Sequence, residues 1–95
     1  MEIVFEWDKR KAKINIQKHK VDFEEAKTVF YNPLSKIFDD DIHSIKEQRE
    51  IIIGHSNKGR LLIVIFTERK QNLIRLISAR NATAKERKDY EENIK

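Results

Sequence analysis

One uninterrupted apolar run, Leu61-Leu62-Ile63-Val64-Ile65-Phe66, constrains this chain more than any other feature. Side chains along a strand point alternately to the two faces of a sheet, so a strand apolar at every position needs cover on both. A strand from Arg60 to Thr67 is therefore expected in the middle of a sheet. A strand from Arg49 to Ser56 precedes it across the turn Ser56-Asn57-Lys58-Gly59, which reads as a hairpin connection. Leu73 to Ala79 follows as its other neighbour, through the polar turn around Lys70-Gln71-Asn72. Leu34 to Asp39 supplies a further strand, and Ile3-Val4-Phe5 with Trp7 a short first one.

Helix signals fill the remainder. Asp8 is a good N-cap for a helix from Lys9 to His19. Asp22, with Glu25 three residues on, reads as a capping box that opens a second helix, with Phe23, Ala26, Val29 and Phe30 on one side and Asn32-Pro33 at its end. Thr83 with Glu86 forms another capping box, before a last, weakly amphipathic helix whose main apolar residues are Tyr90 and Ile94. The order β-α-α-β-β-β-β-α describes an α+β fold: a mostly antiparallel sheet with two N-terminal helices and one C-terminal helix. At 95 residues the chain can build one core, so residues 1–95 are expected to form a single domain.

Charge is segregated along the sequence. Lys9 to Lys20 holds six cations (Lys9, Arg10, Lys11, Lys13, Lys18, Lys20) and no acid, and Lys58 to Lys88 holds nine cations against Glu68 and Glu86. Lys36 to Glu50 reverses the sign, with Asp39, Asp40, Asp41, Glu47 and Glu50. A dipolar molecule with a basic face follows, suited to a polyanion. Cysteine is absent, which removes disulfides, thiolate metal sites and cysteine nucleophiles and fits a reducing, cytoplasmic home. Met1 to Trp7 lacks the pattern of a signal peptide, and no run approaches the roughly 18 apolar residues of a membrane span, so no membrane association is expected.

Among groups that could carry chemistry, Lys9, Arg10 and Lys11 stand at the start of the first helix, where the macrodipole disfavours cations, so phosphate contact, shared with Lys13, accounts for them better than folding does. Lys18 and His19 stand at the other end, where the dipole alone could explain them. Arg49 and His55 share a strand face but lie roughly 20 Å apart along it. By alternation Arg75 points with Ile77 and Ala79, and the plain account of such an arginine is an ion pair with Glu68 or Glu50. Arg80 is placed just past its strand, in a junction of the sort that presents residues to ligands. His19, His43 and His55 are scattered and Asp39-Asp40-Asp41 lacks calcium-loop spacing, so no metal or other cofactor is expected. Two glycines cannot build a phosphate-cradling loop, and no nucleophile elbow is present. Scission of RNA by its own 2′-hydroxyl fits what remains, since it asks for a base, an acid and cations around a five-coordinate phosphate.

The string Phe5-Glu6-Trp7-Asp8, Lys11-Ala12, Asn15, Lys18-His19 and Phe23-Glu24-Glu25-Ala26 resembles the opening of the BrnT family of toxins. Arg49-Glu50-Ile51-Ile52-Ile53-Gly54-His55-Ser56, Gly59-Arg60, Arg69 and Arg75-Leu76-Ile77-Ser78-Ala79-Arg80-Asn81-Ala82, with Glu86-Arg87 and Tyr90, are similar to its second half. The resemblance implies a compact RelE-like fold and a ribonuclease toxin of a type II toxin–antitoxin pair that cuts RNA without a metal and arrests translation. It also implies inhibition by a cognate antitoxin of ribbon-helix-helix type, with promoter DNA reached only through that antitoxin. On the motif positions, Lys18 and His19 are candidate proton-transfer or phosphate-orienting groups, and Arg49, Arg69 and Arg80 candidate stabilisers of transition-state charge. Lys9, Lys11, Lys13, Arg75 and Arg87 are the expected RNA-binding residues. Lys20 stands where the family often has glycine after the Lys-His pair, and Lys9 where it often has proline; a non-glycine in a left-handed helix end costs about 1 kcal/mol. The other reading is a non-catalytic basic module that holds RNA or a protein. A sequence-specific DNA binder would need a recognition helix and turn, and none is evident.

Overall fold

The computed structural model describes residues 2–44 and 46–93, with the side chain of His43 left out. Its elements run β1 (Val4–Glu6), α1 (Lys9–His19), α2 (Phe23–Ala26), β2 (Lys36–Asp39), β3 (Glu50–His55), β4 (Leu61–Lys70), β5 (Leu73–Asn81) and α3 (Ala84–Asn93), with 3-10 turns at Lys27–Tyr31 and Asp41–His43. The five strands form one sheet in the order β1-β5-β4-β3-β2, with β1 parallel to β5 and the other pairs antiparallel. The α+β class and the central place of the apolar strand are as expected. The expected second helix differs: it breaks after one turn of α-helix into the 3-10 segment that carries Val29 and Phe30.

One face of the sheet is sealed by the N-terminal helices. Ile52, Leu62, Val64, Phe66, Ile74, Leu76 and Ala79 meet Val21, Phe23, Ala26 and Val29 there, every one of them buried. Aromatic edges extend this core toward β1, with Phe5 against Phe30 at 5.1 Å, Phe30 against Phe66 at 4.9 Å and Trp7 against Phe23 at 5.8 Å. Strand β3 passes so close beneath this layer that a Cβ on Gly54 would meet Ser35 Cβ at 2.8 Å and Val29 Cγ1 at 3.1 Å, which is why the position has no side chain. The opposite face is only partly covered: α3 lies over it and packs Tyr90 on Ile53, Leu61 and Ile63. Ile94, the other apolar residue expected to pack from this helix, lies outside the described residues.

Local polar devices fix these layers. Asp8 accepts the N–H of Lys11 at 3.0 Å and so caps α1 as expected. The reciprocal Thr83–Glu86 box at the start of α3 is also present, with Thr83 N–H donating to Glu86 at 2.8 Å and Glu86 N–H to Thr83 Oγ1 at 3.1 Å. At α2 the box is only half formed. Asp22 accepts the N–H of Glu24 at 2.7 Å, but Glu25 is drawn inward to a stronger partner. Its buried carboxylate takes both Nε (2.9 Å) and Nη2 of Arg60 and the hydroxyl of Ser56 (2.7 Å), and Arg60 also donates to the carbonyl of Lys20 at 3.1 Å. The Arg60 guanidinium holds Glu25 below the usual carboxylate range against the opposing effect of burial. The β3–β4 hairpin is thereby tied to the α1–α2 corner.

Strand β1 pairs only with Leu73, Ile74 and Arg75, so the outer edge of β5 is bare beyond that point. Buried Asn15 of α1 fills the gap, accepting the N–H of Ala79 at 3.1 Å and donating to the carbonyls of Ala79 at 2.8 Å and Val21 at 2.9 Å. An amide side chain does here what another strand residue would do.

Candidate functional site

The ladder between β4 and β5 slips: Ile65 faces Ser78 but Phe66 faces Leu76, leaving Ile77 unmatched. This bulge reverses the alternation expected from sequence. Ile74, Leu76 and Ala79 all enter the helix-covered core, so Arg75 and Arg80 both emerge on the other, open face, although they are an odd number of residues apart. Arg80 also lies within the strand, one residue from its end, rather than past it, because β5 continues to Asn81.

At one end of the open face, Arg75 lies opposite Thr67 on β4 and Glu6 on β1. Arg75 Nη1 donates to Glu6 Oε2 at 2.9 Å, and Arg69, two residues beyond Thr67, brings its Nη1 to 4.0 Å from the same oxygen. The expected partners Glu68 and Glu50 are excluded by register, since they pair with Ile74 and Phe66 and so belong to the helix-covered face. Burial, with Asp39 and Glu68 nearby, pushes the Glu50 carboxyl up. Arg49 precedes the first residue of β3, which places it beside Thr67, whose hydroxyl donates to the carbonyl of Gln48 at 2.7 Å. Its Nε is buried without a hydrogen bond among the described residues, with Glu47 Oε1 3.7 Å away. Arg49, Arg75 and Glu6 thus form a row across three of the strands, with Arg69 on its flank.

Arg80 stands at the other end of the same face. Opposite it on β4 is Ile63, roughly 13 Å along the strand from Thr67. Its guanidinium makes a two-point pair with Glu86, Nη1 to Oε1 at 2.7 Å and Nη2 to Oε2 at 2.8 Å. Glu86 therefore serves twice, closing the helix cap and clasping Arg80, and its carboxyl is pulled down to about 2 chiefly by the Arg80 hydrogen bonds. The pair borders a groove of about 530 Å³ between α3 and the sheet. Ile51, Ile53 and Ile63 form its floor, and Lys36 and Phe38 of β2 its far side. His55 lies on this face too, its ring 5.9 Å from that of Tyr90.

Other expected residues lie elsewhere. The α1 helix rests on the sealed side of β5, and its 100° turn per residue puts Lys9 and Lys13 on one flank and Lys11 and Lys18 on the other. Lys18 and His19 occupy its last turn, and their side chains make no hydrogen bond or ion pair among the described residues. Arg87 is exposed on α3. Glu6 and Glu86 escaped assignment as site residues; for Glu86 the capping-box spacing was an available signal, because it holds a carboxylate at the foot of a helix that begins just after Arg80. Among the described residues no group of three or more His, Asp or Glu is placed to hold a metal ion, and no helix is long and apolar enough to cross a membrane.

A family profile described as "Ribonuclease toxin, BrnT, of type II toxin-antitoxin system" matches residues 7–86. The chain belongs to the BrnT family. It is also similar to the crystal structure of the Brucella abortus ribonuclease toxin BrnT, with 29% identity and a TM-score of 0.64 over 87% of this chain and 97% of that one. No curated protein sequence matches it. The segment matched to BrnT contains Arg49, Arg69, Arg75, Arg80 and Glu86 together with Lys18 and His19, whereas Glu6 and the groove residues Asp89, Tyr90 and Asn93 of α3 fall outside it.

Proposed function

We propose that this BrnT-family protein is the toxin of a type II toxin–antitoxin pair and cuts RNA endonucleolytically without a metal, through attack of a ribose 2′-hydroxyl on the adjoining phosphorus. The observation that carries this reading is that Arg49, Arg69 and Arg75 at one end and Arg80 at the other line one open sheet face, with Arg75 and Arg80 oriented by the carboxylates of Glu6 and Glu86. Such cations answer the need of the five-coordinate phosphate, whose added charge the site must meet with donors already in place. Arg80, at the mouth of the groove, is assigned to transition-state charge, Arg49 and Arg69 support it along the strand, and Arg75 holds the RNA backbone. Lys18 and His19 are assigned no proton-transfer step on this geometry; with Lys9, Lys11, Lys13 and Arg87 they extend the basic surface along which RNA is drawn in. The protein acts in the cytosol as one domain, arrests translation by removing RNA, and is silenced when a cognate ribbon-helix-helix antitoxin covers it, promoter DNA being contacted through that antitoxin.

A second reading keeps the basic surface but not the chemistry: a module that binds RNA or a protein. It draws on the fact that Arg75 and Arg80 are already paired with carboxylates in the free chain. Incubating purified protein with long single-stranded RNA in excess EDTA separates the two. The toxin reading expects new ends bearing 2′,3′-cyclic phosphates, and a loss of roughly 10²- to 10³-fold in rate for Arg80→Ala with the fold intact. Intact RNA, retained in a salt-sensitive way, would instead establish the binding module.

A further inference from the structure

The groove beside Arg80 has a composition that phosphate binding does not account for. Across β2, β3, β4 and β5 the residues Lys36, Ile53, Ile63 and Arg80 stand in register, so two cations face each other over an apolar floor with Cα atoms roughly 14 Å apart. Phe38, next to Lys36 on the same face of β2, lines the groove and is 52% exposed, although nothing in the fold requires an uncovered phenyl ring there. On the α3 side Tyr90 spends its hydroxyl on the carbonyl of Leu34 at 2.8 Å, and Glu86 is taken up by Arg80. Asp89 completes that wall, and its carboxylate makes no hydrogen bond or ion pair among the described residues.

We infer that this groove is a nucleobase subsite that takes one unpaired guanine of the RNA, stacked on Phe38 and read by Asp89. The inference rests on the ribonuclease reading for the identity of its ligand. A flat heterocycle suits an apolar floor with an aromatic face, and every base offers a face for stacking. The flanking cations Lys36 and Arg80 suit the phosphates on either side of that base. An A-form duplex keeps its bases stacked inside, so only a single-stranded or looped-out nucleotide can reach the floor. Selectivity follows from Asp89. An ionised carboxylate only accepts hydrogen bonds, and guanine alone among the four bases presents two neighbouring N–H donors, N1–H and the 2-amino group, to both carboxylate oxygens. Adenine and cytosine set an acceptor nitrogen beside their amino group, which an ionised carboxylate repels, and uracil offers one N–H between two carbonyls.

Two readouts test this, one independent of cleavage. In the first, the wild type, Phe38→Ala and Asp89→Asn cut oligoribonucleotides that differ by guanine, inosine or adenine at a single position. Cleavage by the wild type is expected at a fixed offset from guanine, weakened by inosine, which lacks the 2-amino group. Phe38→Ala is expected to lower kcat/KM on the guanine substrate by roughly 5- to 100-fold, and Asp89→Asn to level guanine with adenine. In the second, 2′-O-methyl versions of the same oligomers, which cannot be cut, are titrated by fluorescence anisotropy, with the same base order expected. Both side chains are exposed, and circular dichroism confirms that the variants fold. RNA cut by the wild type with no preference for guanine, or with a preference that both variants retain, would overturn the subsite and leave the ribonuclease reading standing. Guanine-selective, Asp89-dependent binding without cleavage by the wild type would support the subsite and remove the ribonuclease. Equal binding of all oligomers, with Phe38 protected by a protein partner instead, would overturn it.

Discussion

Two residues show how single positions set the terms for their surroundings. Lys20 closes α1 in the left-handed region, with φ 59°, its N–H donating to the carbonyl of Ile16 at 2.9 Å and its ammonium to that of Gln17 at 3.2 Å. The turn that glycine often makes in the family is therefore preserved with a side chain in place. Lys20→Gly should raise stability by about 0.5–1 kcal/mol, less whatever the Gln17 contact contributes, and urea unfolding will show a higher midpoint at unchanged slope. Glu86 sets a pH dependence. Its folded value of about 2 lies below the ordinary 4.5, so its contribution is complete above about pH 4.5 and is lost as the pH falls toward 2. Thermal unfolding of the wild type and Glu86→Gln should therefore differ most near neutrality and converge over that window. Convergence on raising the pH instead would show that the Arg80 clasp has been misread.

At the level of elements, the sheet's edges and its bulge decide what the strands can present. Because Asn15 supplies the hydrogen bonds that β1 is too short to make, Asn15→Ala strands the buried N–H and C=O of Ala79, next to Arg80. A loss of roughly 2–4 kcal/mol is expected by denaturant titration, with Arg80 less well held in whatever remains folded. Strand identities were legible in the sequence because their apolar patterns differ: six consecutive apolar residues in β4 demanded the centre of the sheet, and Asp8 and Thr83 marked helix starts in advance. The facing of β5 was not legible, since one extra residue at Ile77 restores Arg80 to the side of Arg75, and nothing in Arg75-Leu76-Ile77-Ser78-Ala79-Arg80 announces a bulge. Partner choice was hidden for the same reason. Glu6 reaches Arg75 through a parallel pairing between residues 69 positions apart, and Glu25 abandons its cap for Arg60 across 35. Local spacing carries caps; it does not carry contacts made by topology.

Across the whole molecule, charge is distributed over both sides of the sheet while the arginines of the open face are confined to one. RNA binding should accordingly weaken with salt, with a slope in log–log form of about −0.7 for each phosphate contact on a single strand. Arg75→Ala should make that slope shallower by about one contact, whereas substitutions at Lys9 or Lys13 that change affinity without changing product ends would place α1 in capture only. The sheet itself has two unlike sides: Val21, Phe23, Ala26 and Val29 lock one face into a packed interior, and α3 shelters only part of the other. Substitutions will therefore be tolerated unevenly. On the sealed side nearly every change of volume costs stability, while the exposed Phe38 and Asp89 can vary with little effect on folding. Under the proposed guanine-reading subsite, changes at Phe38 and Asp89 would alter which RNA is selected while the scaffold beneath stays the same, and variants of equal thermal stability would differ in the base they prefer.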